Sequence, residues 1–437
     1  MPVAYRLEGP WAGPPPPGDA TLDLGEYRFD VLLWPSGTPW FSGGFSTLFS
    51  EWQTTAEARE TQWRCFEGSL RFPVPPQQFR VQISKRSGAG PFRLLASLPA
   101  QTPDGPGVVR AAVAASSVAN LRVTGPAPER YDLLFVAEGY TAEEKDRFRE
   151  DAEHFQHALL KVEPYAGARD RLNIRALFVP SPESGIPDPR RGYWPRTALG
   201  LHYNSLGLDR YAVVTEEHRL RETIAGAPYD LPVILLNSEK YGGGGVYGQW
   251  AVVAARAEFA DYIFLHELGH ALAGLGDEYF TSEVPYLPDP AAPEPWQPNL
   301  SRVRELSFLK WRAFVTPGTP IPTPWGKERY LALQAQARGE AGAGPGWRRR
   351  AAAFSAANPT SAGSACSRAA TTRRRECSVL PWTASCLIVP AGASARYAPR
   401  RSGGSWTSTP LPERPGTIPN GTVEADRPEG SGLPVPG

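Results

Sequence analysis

The 437-residue chain has few cysteines, one methionine and no long apolar run. Its four cysteines (Cys65, Cys366, Cys377 and Cys386) are too few and too scattered for a disulfide framework. None stands at CxxC spacing, which argues against a thiolate zinc site. No stretch approaches the roughly 18 consecutive apolar residues of a spanning helix, so no membrane span is expected. The opening MPVAYRLEGPWAGPPPPG has neither a basic leader nor an apolar core segment, so no secretion signal is expected from the chain as written. Charge of one sign is missing too: 46 Lys+Arg stand against 45 Asp+Glu, a net charge of +1. That balance disfavours a dedicated nucleic-acid binder and a polybasic membrane anchor.

What is present is an ordinary globular composition, 41% hydrophobic and 21% charged, on a chain long enough for two or three domains. Residues 1–122 read as an amino-terminal β-rich, sandwich-like domain. EYRFDVLLW, FRVQISKR and GVVRAAVA are short alternating or apolar runs between Pro/Gly clusters. Trp34, Trp40, Trp52 and Trp63 are expected in its core rather than on a sugar-binding face. From about 125 the rhythm changes to strands alternating with helices, the pattern of an α/β layer structure over 125–335. RYDLLFVAEGY is a strand. Thr141-Ala-Glu-Glu144 has the form of a capping box opening a helix to about Lys161. NIRALFVP (173–180), YDLPVILLN (229–237) and QWAVVAAR (249–256) are further strands, and a helix begins near Phe259.

The chemistry is concentrated in FADYIFLHELGHALAGLGDEY, residues 259–279. His266 and His270 are four residues apart and share one helix face, so both imidazoles can reach one metal ion. Glu267 lies beside that face, placed to take a proton from a metal-activated water and pass it to a leaving amine. Such HExxH patterns also arise by chance. Here the flanking Tyr262, Ile263, Leu265, Leu268 and Leu272 mark a helix buried in a core. The expected cofactor is one Zn2+ per chain.

A catalytic zinc takes a third protein ligand and keeps one position open. Were the helix to continue, a rise of about 1.5 Å per residue would carry Asp277 some 10 Å past His270. Gly274 and Gly276 offer a break, since a helix ending at a left-handed glycine can turn the chain back. Asp277 is therefore the expected third ligand, with Glu278 the alternate. Glu305 is the candidate if the ligand comes instead from a later helix. Substrate is expected to lie extended along strand 249–256, taken as the sheet edge, beside the Gly242–Gly245 run. Gly243, Gly244, Trp250 and Val252 would then bind it.

Several segments, in order, resemble the metallopeptidase family named for an immunoglobulin A peptidase. They are DLLFVAEGYTAEE (132–144), VPSPESGIPDP (179–189), LLNSEKYGGGG (235–245), HELGHALAGLGDEY (266–279), NLSRVRELSFLKW (299–311) and GTPIPTP (318–324). The resemblance implies a zinc-dependent endopeptidase with a metzincin-like α/β catalytic domain acting on protein or peptide substrates. It supports His266 and His270 as ligands, Glu267 as general base and, less firmly, Asp277 as third ligand. It also implies export or a place in the cell envelope, against which the opening shows no signal. Two other readings are an inactive metal-binding product of a damaged gene and a cell-envelope binding module.

Beyond about Tyr330 the likeness stops. Of the 97 residues from 341 to 437, 64 are Ala, Gly, Pro, Ser or Arg, without period 2 or 3.6. The family's methionine-bearing segment is expected here and is absent. A reading-frame shift near 331–340 accounts for the lost methionine, the composition change and the lost periodicity together; a natural disordered tail is the alternative. Such a composition buries too little apolar surface to offset the roughly 1–2 kcal/mol per residue of backbone ordering. Deleting 336–437 is accordingly expected to change the melting temperature by no more than a few degrees. A larger fall makes the tail part of the fold.

Overall fold

A computed structural model describes residues 5–332 apart from 8, 10, 17–22, 54, 56, 61–62, 106–107, 111–117, 278–292, 325, 327, 330 and 331. The expectations for Glu278 and for the tail 336–437 lie outside the described residues.

The strands of the larger sheet are nearly unbroken apolar runs because both faces of the sheet are covered. β8 (Tyr131–Glu138), β9 (Leu172–Leu177), β10 (Leu231–Leu236) and β12 (Trp250–Ala254) run parallel. β11 (Gly243–Val246) and β7 (Val118–Arg122) flank them antiparallel, giving the order β11-β12-β10-β8-β9-β7. β7, which its sequence position places with the amino-terminal domain, thus hydrogen-bonds into this sheet. Its alternating, half-exposed VANLR carries no apolar run to mark it.

Alternate side chains along each strand feed two cores. Leu133, Phe135, Val233, Leu235 and Val253 face α3 (Lys145–Leu160) and α6 (Ala260–Ala273), meeting Phe148, Phe155, Phe264 and Leu268. Leu134, Val136, Ile234, Leu236 and Val252 face α5 (Glu217–Ile224) and the long loops before it, meeting Leu199, Tyr203, Val213 and Leu220. The short α4 (Tyr165–Ala168) follows α3. The capping box at Thr141 and Glu144 forms, with the Thr141 amide donating to Glu144 Oε2 at 3.0 Å.

The amino-terminal part holds β2 (Tyr27–Leu33), β3 (Pro39–Phe45), β4 (Phe79–Lys85) and β5 (Arg93–Ser97). They form a four-stranded antiparallel sheet in the order β3-β2-β4-β5, beside a parallel pair of β1 (Tyr5–Leu7) with β6 (Val108–Arg110). Between β3 and β4 come α1 (Leu48–Gln53) and α2 (Glu57–Glu60). Among the described residues the expected sandwich is one sheet. Its apolar face (Phe29, Val31, Phe41, Val81) is covered by irregular segments carrying Trp11, Leu70 and Phe72 instead of a second sheet. Of the tryptophans, Trp52 is buried, Trp40 and Trp34 are half-buried, and Trp63 is exposed.

Several polar contacts tie this part to the catalytic sheet. Ser69 Oγ receives from Arg221 Nε (2.8 Å) and donates to Glu217 Oε2 (3.0 Å), while Gln249 Nε2 donates to the Ser69 carbonyl (3.1 Å). Arg71 donates to the Tyr229 carbonyl and lies 3.6 Å over its ring.

Phe264 joins α6 to the sheet and to α3, its ring centroid 5.8 Å from Phe135 and 5.0 Å from Phe155. It is fully buried. Truncating it to alanine leaves a cavity under the metal-site helix, and Phe264→Ala is expected to cost about 3–5 kcal/mol of stability in urea denaturation. A loss below about 1 kcal/mol would mean that the site can collapse around the missing ring.

Candidate metal and catalytic site

α6 lays Ile263, Phe264, Leu268 and Ala271 into the core and leaves His266, Glu267 and His270 half-buried on its other side. The helix stops at Gly274, which takes φ +63, a left-handed conformation open to glycine at little cost. The Gly274 amide donates to the His270 carbonyl (3.0 Å) and the Leu275 amide to the Gly269 carbonyl (3.2 Å). The first of these is the bond of a left-handed glycine cap, and it reverses the chain. Asp277 therefore comes back over the last turn of the helix.

The result is a tight convergence. His266 Nε2 and His270 Nε2 are 3.0 Å apart, and Asp277 Oδ1 is 3.2 Å from each. Oδ1 is buried yet receives no aligned hydrogen bond. His270 Nδ1 faces the Leu275 carbonyl, which can only accept, so Nδ1 carries the proton and a neutral His270 presents a bare Nε2. Two imidazole nitrogens and a carboxylate oxygen thus point at one place. That donor set suits a cation. Glu267 completes a group with the two histidines whose ligand atoms lie within 4.8 Å of one another.

The charges of this group are tightly coupled. Burial would raise the Asp277 carboxyl, but the two imidazoles hold it far below the usual carboxylate range. Burial works against charge on His270 as well, and Asp277 and Glu267 overcome it, pushing the ring up to about 9. Glu267 is pushed up by burial, against the pull of both histidines. Glu305, the alternative ligand, caps a short 3-10 turn and is exposed.

Two features were not foreseen. Asn299 clamps the ligand loop: its Oδ1 accepts from the Gly276 amide and its Nδ2 donates to the Gly276 carbonyl, both at 2.8 Å. Lys310 holds the Asn299 segment by donating to the carbonyls of Gln297 (2.8 Å) and Leu300 (2.7 Å). The other is the fit of β11 on α6. A Cβ on Gly245 would sit 2.3 Å from the Glu267 carbonyl oxygen and 3.0 Å from His270 Cβ; one on Gly243 would sit 3.3 Å from Glu267 Cγ. Only glycine lets this strand lie against the helix backbone.

This strand corrects the expectation for substrate. β12, carrying Trp250 and Val252, lies between β10 and β11 and is paired on both sides. Both side chains are fully buried, and Trp250 Nε1 donates to Glu217. An apolar run beside a glycine run read as the exposed edge, whereas the glycines themselves form it. Gly243 and Gly244 are on that edge strand, with Gly244 and Gly245 half-exposed.

The other family-like segments meet away from the histidines, at the carboxyl ends of β8 and β10. Buried Glu138 accepts from Thr197 Oγ1, Leu199 N and Leu201 N. Asn237 Nδ2 donates to the Gly139 carbonyl, Glu144 and Ser184. They fix the loops after β8 and β10.

A family model for IgA peptidase M64 matches residues 119–348, and one for the peptidase M64 amino terminus matches residues 4–95. The chain belongs to the IgA peptidase M64 family. Membership implies a metallopeptidase, with protein or peptide substrates. Among curated proteins none matches the chain. Among the described residues no helix is long and apolar enough to cross a membrane.

Asn299 fixes the backbone one residue before Asp277. Asn299→Ala is expected to weaken metal affinity about 10- to 100-fold, the scale of losing an outer-shell support, with the fold intact by circular dichroism. Unchanged affinity in a chelator competition would show that the Gly274 turn alone positions Asp277.

Proposed function

We propose that the chain is a zinc-dependent endopeptidase of metzincin-like architecture, with one ion held by His266, His270 and Asp277. The observation that carries this reading is the convergence of two imidazole nitrogens and a carboxylate oxygen within 3.0–3.2 Å of one another. Two nitrogens and one oxygen, with a fourth side open, are the donor set of a catalytic zinc site. When bound, the ion supplies Lewis acidity, lowering the pKa of a water and stabilising negative charge on the scissile carbonyl oxygen.

The remaining steps belong to the chain's own side chains. Glu267 takes the proton of the attacking water and hands it to the departing amine. Its burial favours this, because a carboxylate raised from its ordinary value is a better base near neutral pH. Leu275, through its carbonyl, holds the His270 ring and its tautomer. The β11 edge supplies main-chain hydrogen bonds to an extended peptide along Gly244–Val246, replacing the role assigned to Trp250 and Val252. Pairing through the backbone selects for extended chain over side-chain identity, which suits an endopeptidase.

Glu267→Gln keeps shape and removes the base. Hydrolysis of a quenched fluorescent peptide is expected to fall about 10²- to 10⁴-fold, with one zinc per chain retained by elemental analysis. Loss of zinc from that variant would make Glu267 a structural residue and sink its role as base.

A further inference from the structure

The amino-terminal part touches the catalytic part in two places and stands off from it between them. At one place the Ser46 amide donates to the Tyr247 carbonyl (3.0 Å), and a Cβ on Gly248 would lie 2.9 Å from the Gly44 carbonyl oxygen. At the other, Ser69 and Arg71 hold Glu217, Arg221, Gln249 and Tyr229. Between the two contacts lies a cavity of about 310 Å³. Tyr131, Leu172 and Leu231, at the amino ends of the parallel strands, line one wall. Phe29, Phe41 and Phe45 of the amino-terminal sheet line another. Trp11, Leu70 and the last turn of α6, through Ala271 and Leu272, complete the apolar lining. His266, Glu267, His270 and Asp277 take no part in it.

Protein interiors are close-packed, and rings and aliphatic groups offer a water few partners. A gap of this size, at an interface between two parts of a chain, is near the lower end of the roughly 300–1,000 Å³ of small-molecule sites. Its polar groups are few and mostly of one sign. Among the described residues, Arg71, Arg171 and Arg221 line it against Asp230. Glu217 offsets Arg221 at 3.5 Å, which leaves an excess of positive charge. The Arg71 guanidinium lies 3.6 Å from the centre of the Tyr229 ring and 5.4 Å from that of Trp11. Rings therefore cover the planar group, and its N–H donors lie at the edge. One of them serves the Tyr229 carbonyl (2.8 Å). Such an edge matches the two oxygens of a carboxylate.

We propose that this cavity binds a small apolar carboxylate: a single ring or short acyl chain lies among the aromatic side chains, and its acid group meets Arg71. The site is separate from the histidine group and stands whether or not the chain is a zinc peptidase. The two adjoin through the backbone. The Gly248 amide donates to the Ala271 carbonyl (2.9 Å), one residue past His270. An occupant therefore braces the turn between β11 and β12 against the end of α6.

The test titrates phenylbutyrate and its neutral amide, phenylbutanamide, into the full-length chain by calorimetry. Excess chelator is present, so that no acid binds through a metal. The acid is expected to bind once per chain, about tenfold or more tighter than the amide, the scale of a charge-assisted hydrogen bond. It is also expected to slow amide hydrogen exchange about threefold or more at residues 247–249 and 271–272. Leu272→Trp fills the cavity from the α6 side and is expected to abolish binding with circular dichroism unchanged. Arg71→Leu is expected to bring the acid down to the affinity of the amide. Equal affinities of acid and amide for the unchanged chain would overturn the carboxylate assignment. Undiminished binding by a folded Leu272→Trp, or exchange slowed only at other residues, would place the acid elsewhere and overturn the site, as would no binding at all. Should Leu272→Trp fail to fold, the acid–amide comparison and the exchange pattern of the unchanged chain still decide.

Discussion

A helix can aim two imidazoles at one ion, but its axial rise carries any later residue away from them. Everything at this site depends on how the chain escapes that constraint. Gly274 adopts a conformation that costs other residues more, and the Leu275 amide closes on Gly269. The same Leu275 then offers its carbonyl to His270 Nδ1, so the turn that returns Asp277 also orients a histidine and sets its tautomer. Asn299 takes both backbone groups of Gly276, leaving the chain little freedom before Asp277. Asp277, the His270 tautomer and the loop are fixed by one short reversal.

The second dependence is on absence of side chain. β11 reaches α6 so closely that a methyl group at 245 would overlap the Glu267 carbonyl. The glycines are therefore a packing requirement, and they bring a sheet edge alongside Glu267 and His270. A bulkier strand would stand off from the helix, and a peptide paired with it would be held farther from Glu267. Backbone proximity here links sheet topology directly to chemistry.

Much of this was legible in the sequence because the physics was local. The parallel strands announce themselves as apolar runs, since both faces are buried. The capping box needs only Thr141 and Glu144. Spacing alone puts His266 and His270 on one face, and glycine at 274 allows the turn to Asp277. What was missed is non-local. Strand order decides that β12 is interior and β11 the edge, and nothing within QWAVVAAR distinguishes an edge from a centre. β7 lacks an apolar face of its own, so its membership of the large sheet comes only from pairing with β9. Asn299 lies 23 residues past Gly276, and no periodicity connects them. Ser69 and Arg71, some 150 residues or more before Glu217, Arg221, Tyr229 and Gln249, had no sequence signal as their partners.

That last miss bears on how the amino-terminal part works. It is pinned to the large sheet by Ser69, Arg71 and their partners Glu217, Arg221, Gln249 and Tyr229, of which Glu217 and Arg221 are buried and charged. Separating the two parts as bodies would expose those groups unpaired, and each such loss costs on the order of 1–3 kcal/mol. The amino-terminal part therefore sits on the large sheet as a fixed mount, held at Ser69 and Arg71.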